Sequence, residues 1–330
     1  MIKKIVAVVC GGYSKEEVVS QNSAEQVIKT IDTLKFDVYK VIINKHKWVV
    51  KYQDKEILID KNDFSFLLDT KKIIFDVVLM VIHGTPGEDG KLQSYFEMLN
   101  IPVTTSDTPV SSLTFNKFYT KVFLKEFGIK TAKAQLVRVG DRYSKKEIIS
   151  KLGLPVFVKP NSGGSSFGIT KVKTIEQLDK AIDKALIEDS EVIIEEFIKG
   201  REFTNGVFET RLETIVLPIT EIISQTEFFD YKAKYEGLST EVTPAKLTNE
   251  QTEKCKHLSL KIYKYLNCKG VVRIDYLLKE DIFYFMEINT VPGLSEASII
   301  PQQLKEYGME MKVFYTLLIE NAIQQHKSLL

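Results

Sequence analysis

The sequence contains no apolar run approaching the length that crosses a bilayer, so a membrane-spanning helix is not expected. Charge bias is also missing. Forty-five Lys and Arg against forty-four Asp and Glu leave a formal charge of +1, which gives no bulk attraction to nucleic acid or to a membrane surface. Cysteine is scarce: Cys10, Cys255 and Cys268 are odd in number and unclustered. They form neither a metal motif nor a disulfide framework, as expected of a chain working in a reducing cytoplasm. Cys10, beside Gly11-Gly12, reads as a small buried residue and not a nucleophile. The four histidines lack paired ligand spacing, and there is no internal repeat or low-complexity tract. The start, MIKKIVAVVCGG, places two lysines before a short apolar run that Gly-Gly ends. It reads as a first buried strand and is too short for a secretion signal.

What is present suits a globular protein. A length of 330 residues allows two or three packed units, and 44% hydrophobic with 27% charged residues is ordinary. Residues 1–106 alternate strand and helix patterns. Strands are expected at Lys4–Val9, Asp37–Ile43, Asp76–Ile82 and Ile101–Thr104, and helices at Ser20–Leu34 and Leu92–Leu99. Such alternation predicts a mostly parallel α/β sheet, with ligands at the carboxyl ends of its strands. Two polar clusters fall there, Gly11–Glu16 and His83–Gly90. The first has neither the GxGxxG nor the Walker pattern. Glu16 suits a ligand ammonium group; the competing role is to cap the following helix. His83, in a glycine-rich loop, is a candidate for function, against a merely hydrogen-bonded turn residue.

Residues 107–200 change to an α+β pattern. A helix is expected over Ser112–Phe127, carrying Lys117 and Lys121 one turn apart. The strand Pro155–Lys159 leads into NSGGSSFG, followed by the strand Ile169–Lys173. A Gly/Ser loop between strands can fold over phosphates with its backbone N–H groups, and Lys159 at its base supplies a cation. The strand Glu191–Ile198 then runs into a connector. Its backbone suits the edge of an adenine, with Glu195 accepting from the amino group and Glu202 taking the ribose hydroxyls; the competing role of both is a strand-edge charge. Residues 201–330 form a third unit. Strands are expected at Glu202–Phe208 and Ile215–Ile223, a lid loop at 224–246 with Lys234 and Tyr235 near its middle, and a helix at Thr248–Leu266.

The densest chemistry lies at 271–289. Val271–Leu278 and Phe283–Ile288 flank the polar break Lys279-Glu280-Asp281 and read as a hairpin. With Asp275 opposite Glu287, Arg273 lies opposite Asn289, and all four share one face. On the other face Ile274 meets Ile288, Tyr276 meets Met286 and Leu278 meets Tyr284. Two carboxylates and an amide suit a hard cation such as Mg²⁺, which completes its shell with water and phosphates. Arg273 places positive charge where an oxyanion would form. The competing reading is a solvated, ion-paired hairpin. The turn-forming run Asn289–Gly293 that follows favours a ligand loop.

HGTPGEDGKLQS, KPNSGGSSFG, EEFIKGREFT, DYKAKY, RIDYLL and EINTVPGLSEASIIP occur in this order. Together they resemble the D-alanine–D-alanine ligase family of the ATP-grasp superfamily, over nearly the whole chain. The resemblance implies an N-terminal substrate domain followed by two α+β lobes that grip ATP. It implies Lys117, Lys159, Glu195, Glu196, Phe197, Ile198 and Glu202 around the nucleotide, with Lys234 reaching the γ-phosphate. It implies Asp275, Glu287 and Asn289 as ligands of two Mg²⁺ ions, with Mn²⁺ as an alternative. Arg273 and the Gly293 backbone would stabilise the tetrahedral intermediate. Glu16 would hold the first D-alanine, with His83 nearby, and Ser298 and Ile299 would line the second subsite. Glu16, Ser165 and Tyr235 would hydrogen-bond to close the lid. Beside the adenine the hairpin register favours Leu277 with Phe285, whereas the family pattern favours Leu277 with Met286.

The implied activity joins two D-alanines at the expense of ATP through an acyl phosphate, for peptidoglycan precursor synthesis, in a cytoplasmic homodimer. Two alternatives accompany it: a relative with D-serine or D-lactate as acceptor, and a nucleotide-binding regulator without turnover. Leu294-Ser295-Glu296 stands where the family commonly continues PG with Met-Thr, and Glu296 would add negative charge near the second subsite.

Overall fold

The computed structural model describes residues 2–164, 168–224 and 239–328. Ser165, Lys234 and Tyr235 therefore lie outside the described residues.

The first sheet has the order β4-β3-β2-β1-β7. Its parallel part is β1 (Lys4–Gly11) between β2 (Phe36–Ile43) and β7 (Val77–Met80). An antiparallel hairpin, β3 (Trp48–Tyr52) and β4 (Lys55–Leu58), extends one side. This hairpin and the separate pair β5 (Ser65–Leu68) and β6 (Lys71–Ile74) were not expected from the sequence. Helix α2 (Lys91–Met98) follows β7, and in place of a strand at Ile101–Thr104 there is one bridge, Val103 to Val78. Helix α1 (Glu17–Thr30) buries Ser20, Ser23, Ala24 and Val27, spaced along one stripe. The stripe is small and partly polar because it sits on the sheet end: Ser20 Oγ donates to Val81 O at 2.7 Å and accepts from Gly11 N at 3.0 Å. The helix starts and stops earlier than Ser20–Leu34, since Ile31 turns extended to enter the core and Leu34 lies in solvent.

The expected helix Ser112–Phe127 is two helices, α3 (Thr108–Phe115) and α4 (Lys117–Glu126). Asn116 breaks it. Its backbone is extended, its side chain accepts from Tyr119 N at 2.9 Å, and it bridges to Ser162. A side-chain oxygen that caps the next helix competes with continuing the first one. Asp107 caps α3 in the same way, with Pro109 in the first turn.

The central sheet, order β10-β9-β11-β8, comprises β8 (Ala134–Arg138), β9 (Val156–Pro160), β10 (Thr170–Val172) and β11 (Glu191–Glu196). All its pairs are antiparallel. Two helices, α5 (Lys145–Leu152) and α6 (Leu178–Leu186), share its core. The third sheet, order β14-β13-β12-β15-β16, comprises β12 (Arg201–Glu209), β13 (Thr214–Ser224), β14 (Ser239–Val242), β15 (Val271–Lys279) and β16 (Ile282–Asn289). Part of the expected lid loop 224–246 is thus strand: β14 pairs with β13, and Ala245 N donates to Ile219 O at 2.8 Å. Helix α7 (Asn249–Tyr265) covers one face, started by a reciprocal Thr248–Gln251 capping box.

Two helices close the chain, α8 (Ile299–Tyr307) and α9 (Met311–Lys327). Phe314, Tyr315, Leu318 and Ile319 of α9 share a core with Val6, Val8 and Leu79 of the first sheet and Phe208 and Leu217 of the third. The two ends of the chain are therefore packed together. Gly270 occupies the same junction with φ +62°, and a Cβ there would lie 2.0 Å from Thr104 O. Gly270→Ala combines a left-handed backbone with a clash against main chain. We expect it to cost about 1–3 kcal/mol, read as a lowered denaturant midpoint.

Candidate active site

One large cleft, about 1480 Å³, opens where the three sheets face one another. Glu16, His83, Lys117, Lys159, Glu195, Phe197, Ile198, Glu202, Arg273, Asp275, Leu277, Met286, Glu287, Asn289, Gly293, Ser298 and Ile299 all line it, as does Glu196. The described part of the sequence-derived site is thus gathered around a single space.

Its floor is the hairpin β15–β16. Arg273 pairs with Asn289 and Asp275 with Glu287, as expected. Beyond Asp275 the register slips by one residue, so that Tyr276 opposes Phe285, Leu277 opposes Tyr284 and Leu278 opposes Phe283. The expected pairs Tyr276–Met286 and Leu278–Tyr284 are therefore corrected by a bulge. The extra residue turns Phe285 into the core, where it is 1% exposed, and leaves Met286 lining the cleft with Leu277.

Asp275 is the hub of the polar face. Its Oδ1 accepts from Arg273 Nε at 3.0 Å and Thr204 Oγ1 at 2.5 Å, and its Oδ2 from Arg273 Nη2 at 2.9 Å and Asn289 Nδ2 at 3.2 Å. The bidentate contact fixes the guanidinium plane. Burial works against the charge of Arg273, and Asp275 more than restores it, so the cation is held firmly. Among the described residues no group of three His, Cys, Asp or Glu side chains is placed to hold a metal. The donor set on this face is two carboxylates and an amide. That set fits Mg²⁺, which is typically bound through one or two carboxylates with water and phosphate oxygens supplying the rest.

The wall of the central sheet carries Glu195 and Lys159 on one face, and α4 brings in Lys121. Glu195 Oε2 lies 2.7 Å from Lys159 Nζ and Oε1 lies 2.8 Å from Lys121 Nζ. Burial alone would raise the Glu195 pKa, but Lys121 and Lys159 bring it down to about 2. Its carboxylate is therefore ionised and paired with both lysines at the wall of the cleft. Lys117, whose pKa burial lowers, donates to Gly163 O at 2.5 Å and lies 3.9 Å from Glu287. The connector also differs from expectation. The strand ends at Glu196, whose carboxylate accepts from Lys133 N at 2.7 Å, and Phe197 N donates to Pro155 O at 3.2 Å. The Phe197 ring instead carries Lys171 Nζ 4.2 Å above it.

Across the cleft, Glu16 stands at the start of α1 without a side-chain capping bond. Its carboxylate points at Gly84 and Gly164: a Cβ on Gly164 would lie 2.8 Å from Oε2. The close approach explains glycine at 164. His83 is buried, its Nδ1 2.7 Å from Val291 O and its Nε2 3.4 Å from Ser23 Oγ. Burial lowers its pKa against the pull of Glu16, so the ring is neutral at pH 7.

Glu88, in the same loop, was missed as a site residue although it sits in the GEDG run. Its two oxygens accept from Gly84 N at 2.7 Å and Val291 N at 3.1 Å. Together His83 and Glu88 hold both polar groups of the Val291 peptide and so fix the loop that carries Gly293. Burial, then Glu16, push the Glu88 pKa up to about 7. At Gly293 a Cβ would lie 2.7 Å from Ser298 Oγ, so the glycine lets helix α8 approach. Ser298 Oγ sits 2.8 Å from Ser295 Oγ, and Ile299 is buried. Glu296 is exposed and does not itself line the cleft, although its neighbours Ser295 and Ala297 do.

Comparison with known proteins agrees with this arrangement. The family model described as D-ala D-ala ligase N-terminus matches residues 5–106, and D-ala D-ala ligase C-terminus matches residues 123–321. A D-alanine–D-alanine ligase of Phocaeicola vulgatus is 46% identical over 322 residues, covering 97% of this chain and 99% of its own. The crystal structure of a D-alanine–D-alanine ligase from Bacillus anthracis complexed with ATP superposes with a TM-score of 0.80 at 29% identity, covering 98% and 99%. VanG D-Ala:D-Ser ligase from Enterococcus faecalis gives 0.84 at 31%, covering 98% and 100%. The chain belongs to the D-alanine–D-alanine ligase family and is an ATP-dependent ligase of the ATP-grasp fold, one that serves peptidoglycan precursor synthesis.

Proposed function

We propose that the cleft binds ATP against the central and third sheets, holds one D-alanine beside Glu16, and joins it to a second D-alanine beside Ser298 and Ile299. The observation that carries this reading is the polar face of β15–β16. It aims Arg273 between two carboxylates and the Gly293 loop, where charge develops on a carboxyl group that is first phosphorylated and then attacked. Asp275, Glu287 and Asn289 would hold Mg²⁺, which would supply neutralising charge to the phosphates. Lys117 and Lys159 bind the nucleotide, and Leu277 and Met286 flank its base. Connector residues 196–198 border the base, and Glu202 faces the ribose. The Glu16 carboxylate fixes the ammonium group of the first D-alanine, and neutral His83 leaves that charge pairing undisturbed. Arg273 and the Gly293 N–H take the developing oxyanion in both steps. Lys234, Tyr235 and Ser165 complete the closure over the substrates in this reading, and exclusion of water protects the acyl phosphate from hydrolysis.

The reading divides the chain into a substrate domain to residue 106, a nucleotide lobe to 200 and a metal-bearing lobe thereafter. Family membership supports a homodimer acting in the cytoplasm. The exposed position of Glu296 supports D-alanine as the acceptor without special selection against it. The test is phosphate release from Mg²⁺-ATP with D-alanine, with L-alanine as control and the product weighed by mass spectrometry. Release that depends on D-alanine, with a D-alanyl-D-alanine product, is expected. Release that needs D-serine or D-lactate as acceptor would overturn the acceptor assignment, and no release with any of them would overturn the substrate class.

A further inference from the structure

Lys121 is a buried cation that the catalytic scheme does not use. It is 1% exposed, on the turn of α4 after Lys117, and it stands between two lobes. On one side its Nζ lies 2.8 Å from Glu195 Oε1; on the other it reaches Phe285 O of β16 at 3.5 Å. Glu195 is the shared partner of Lys121 and Lys159. An unshared Glu195 would cancel Lys159, because a buried ion pair at this distance presents little net charge outward. With Lys121 present, three charges sum to +1.

We propose that Lys121 is a positioning residue of the nucleotide site: by taking one oxygen of Glu195 it leaves Lys159 with net positive charge to offer the phosphates. The inference rests on the reading of Lys159 as a nucleotide ligand. It differs from a purely structural role in one respect. A structural lysine is needed for its contacts, whereas this one is needed for its charge relative to Glu195. Removing both charges should then undo the harm of removing one.

The experiment titrates ADP with magnesium into three full-length proteins by calorimetry: wild type, Lys121→Met, and Lys121→Met combined with Glu195→Gln. Lys121→Met leaves Glu195 and Lys159 as a neutral pair, so it keeps the fold and loses only the surplus charge. Its ADP affinity is expected to fall about 10- to 30-fold, the scale of one unit charge at ~10 Å in an effective dielectric of ~20. Its KM for D-alanine should stay within about twofold. The double variant restores a net charge of +1 and is expected to return to within about threefold of wild type. Unchanged ADP affinity in Lys121→Met, or a double variant weaker than the single, overturns the proposal. A wild type that binds ADP but forms no dipeptide would sink the substrate reading and leave these binding arms decisive.

Discussion

Arg273→Ala should lower kcat by about 10²–10³, the scale for losing one oxyanion donor, with a smaller change in the KM for ATP. Arg273 is held by two hydrogen bonds to Asp275, of 3.0 and 2.9 Å, and is half-buried at the cleft floor opposite the Gly293 loop. Its guanidinium plane is set before substrate arrives, so little reorganisation is left for the reaction step. Arg273→Lys should recover only part of the loss, because a point charge on a flexible stem cannot reproduce the fork against Asp275. Steady-state phosphate release with saturating D-alanine measures both variants. Turnover near the wild-type value in the alanine variant would remove Arg273 from the chemistry and leave it as a structural partner of Asp275.

The second large effect is on stability. Glu195→Gln alone leaves Lys121 and Lys159 buried without a counter-charge. Breaking a buried ion cluster by removing one partner typically costs about 3–5 kcal/mol, and that loss is expected here in denaturant unfolding. The wild type also gives a pH signature. Glu195 titrates at about 2 when folded, against an ordinary value of 4.5. The unfolded chain therefore binds the proton first as pH falls. The stabilisation, about 3 kcal/mol, is fully present above pH 4.5 and is lost as pH falls through 2. Glu88 acts in the opposite sense: its raised value means that the folded state keeps its proton longer, so it withdraws stability as pH rises from about 4.5 to 7. In Glu195→Gln the acid-side loss should flatten while the Glu88 contribution stays. An acid limb that is identical in wild type and variant would show that the lysines are not paired with Glu195 in solution.

Much of the site was legible because its chemistry is local. Arg273, Asp275, Glu287 and Asn289 fall on one face by strand alternation alone, and the structure pairs them as expected. Legibility ended where a single residue's competing preference decided the outcome. Asn116 splits a helix whose apolar pattern runs on unbroken, because its side chain caps the second half. The bulge at Met286 leaves no mark in a run of alternating apolar residues, so alternation alone put Tyr276 opposite Met286 where the structure has Phe285. Glu195 shows a third limit. Its pairing with Lys121 and Lys159 was not foreseen, because these partners lie 74 and 36 residues away in sequence. Glu88 was overlooked for the same reason, since Val291, one of its two partners, is 203 residues distant.

The bulge also has a meaning for how this strand tolerates change. Strict alternation writes a strand in one phase, so every insertion or deletion inverts everything downstream. In β16 the phase is broken between Glu287 and Met286, both of which line the cleft. The two halves are thus separate words and not one sentence. Substitutions at Tyr284 or Met286 leave Glu287 and Asn289 at their address, and deleting Met286 would remove the extra residue and restore a single phase with Phe285 still opposite Tyr276 in the core and Tyr284 still opposite Leu277.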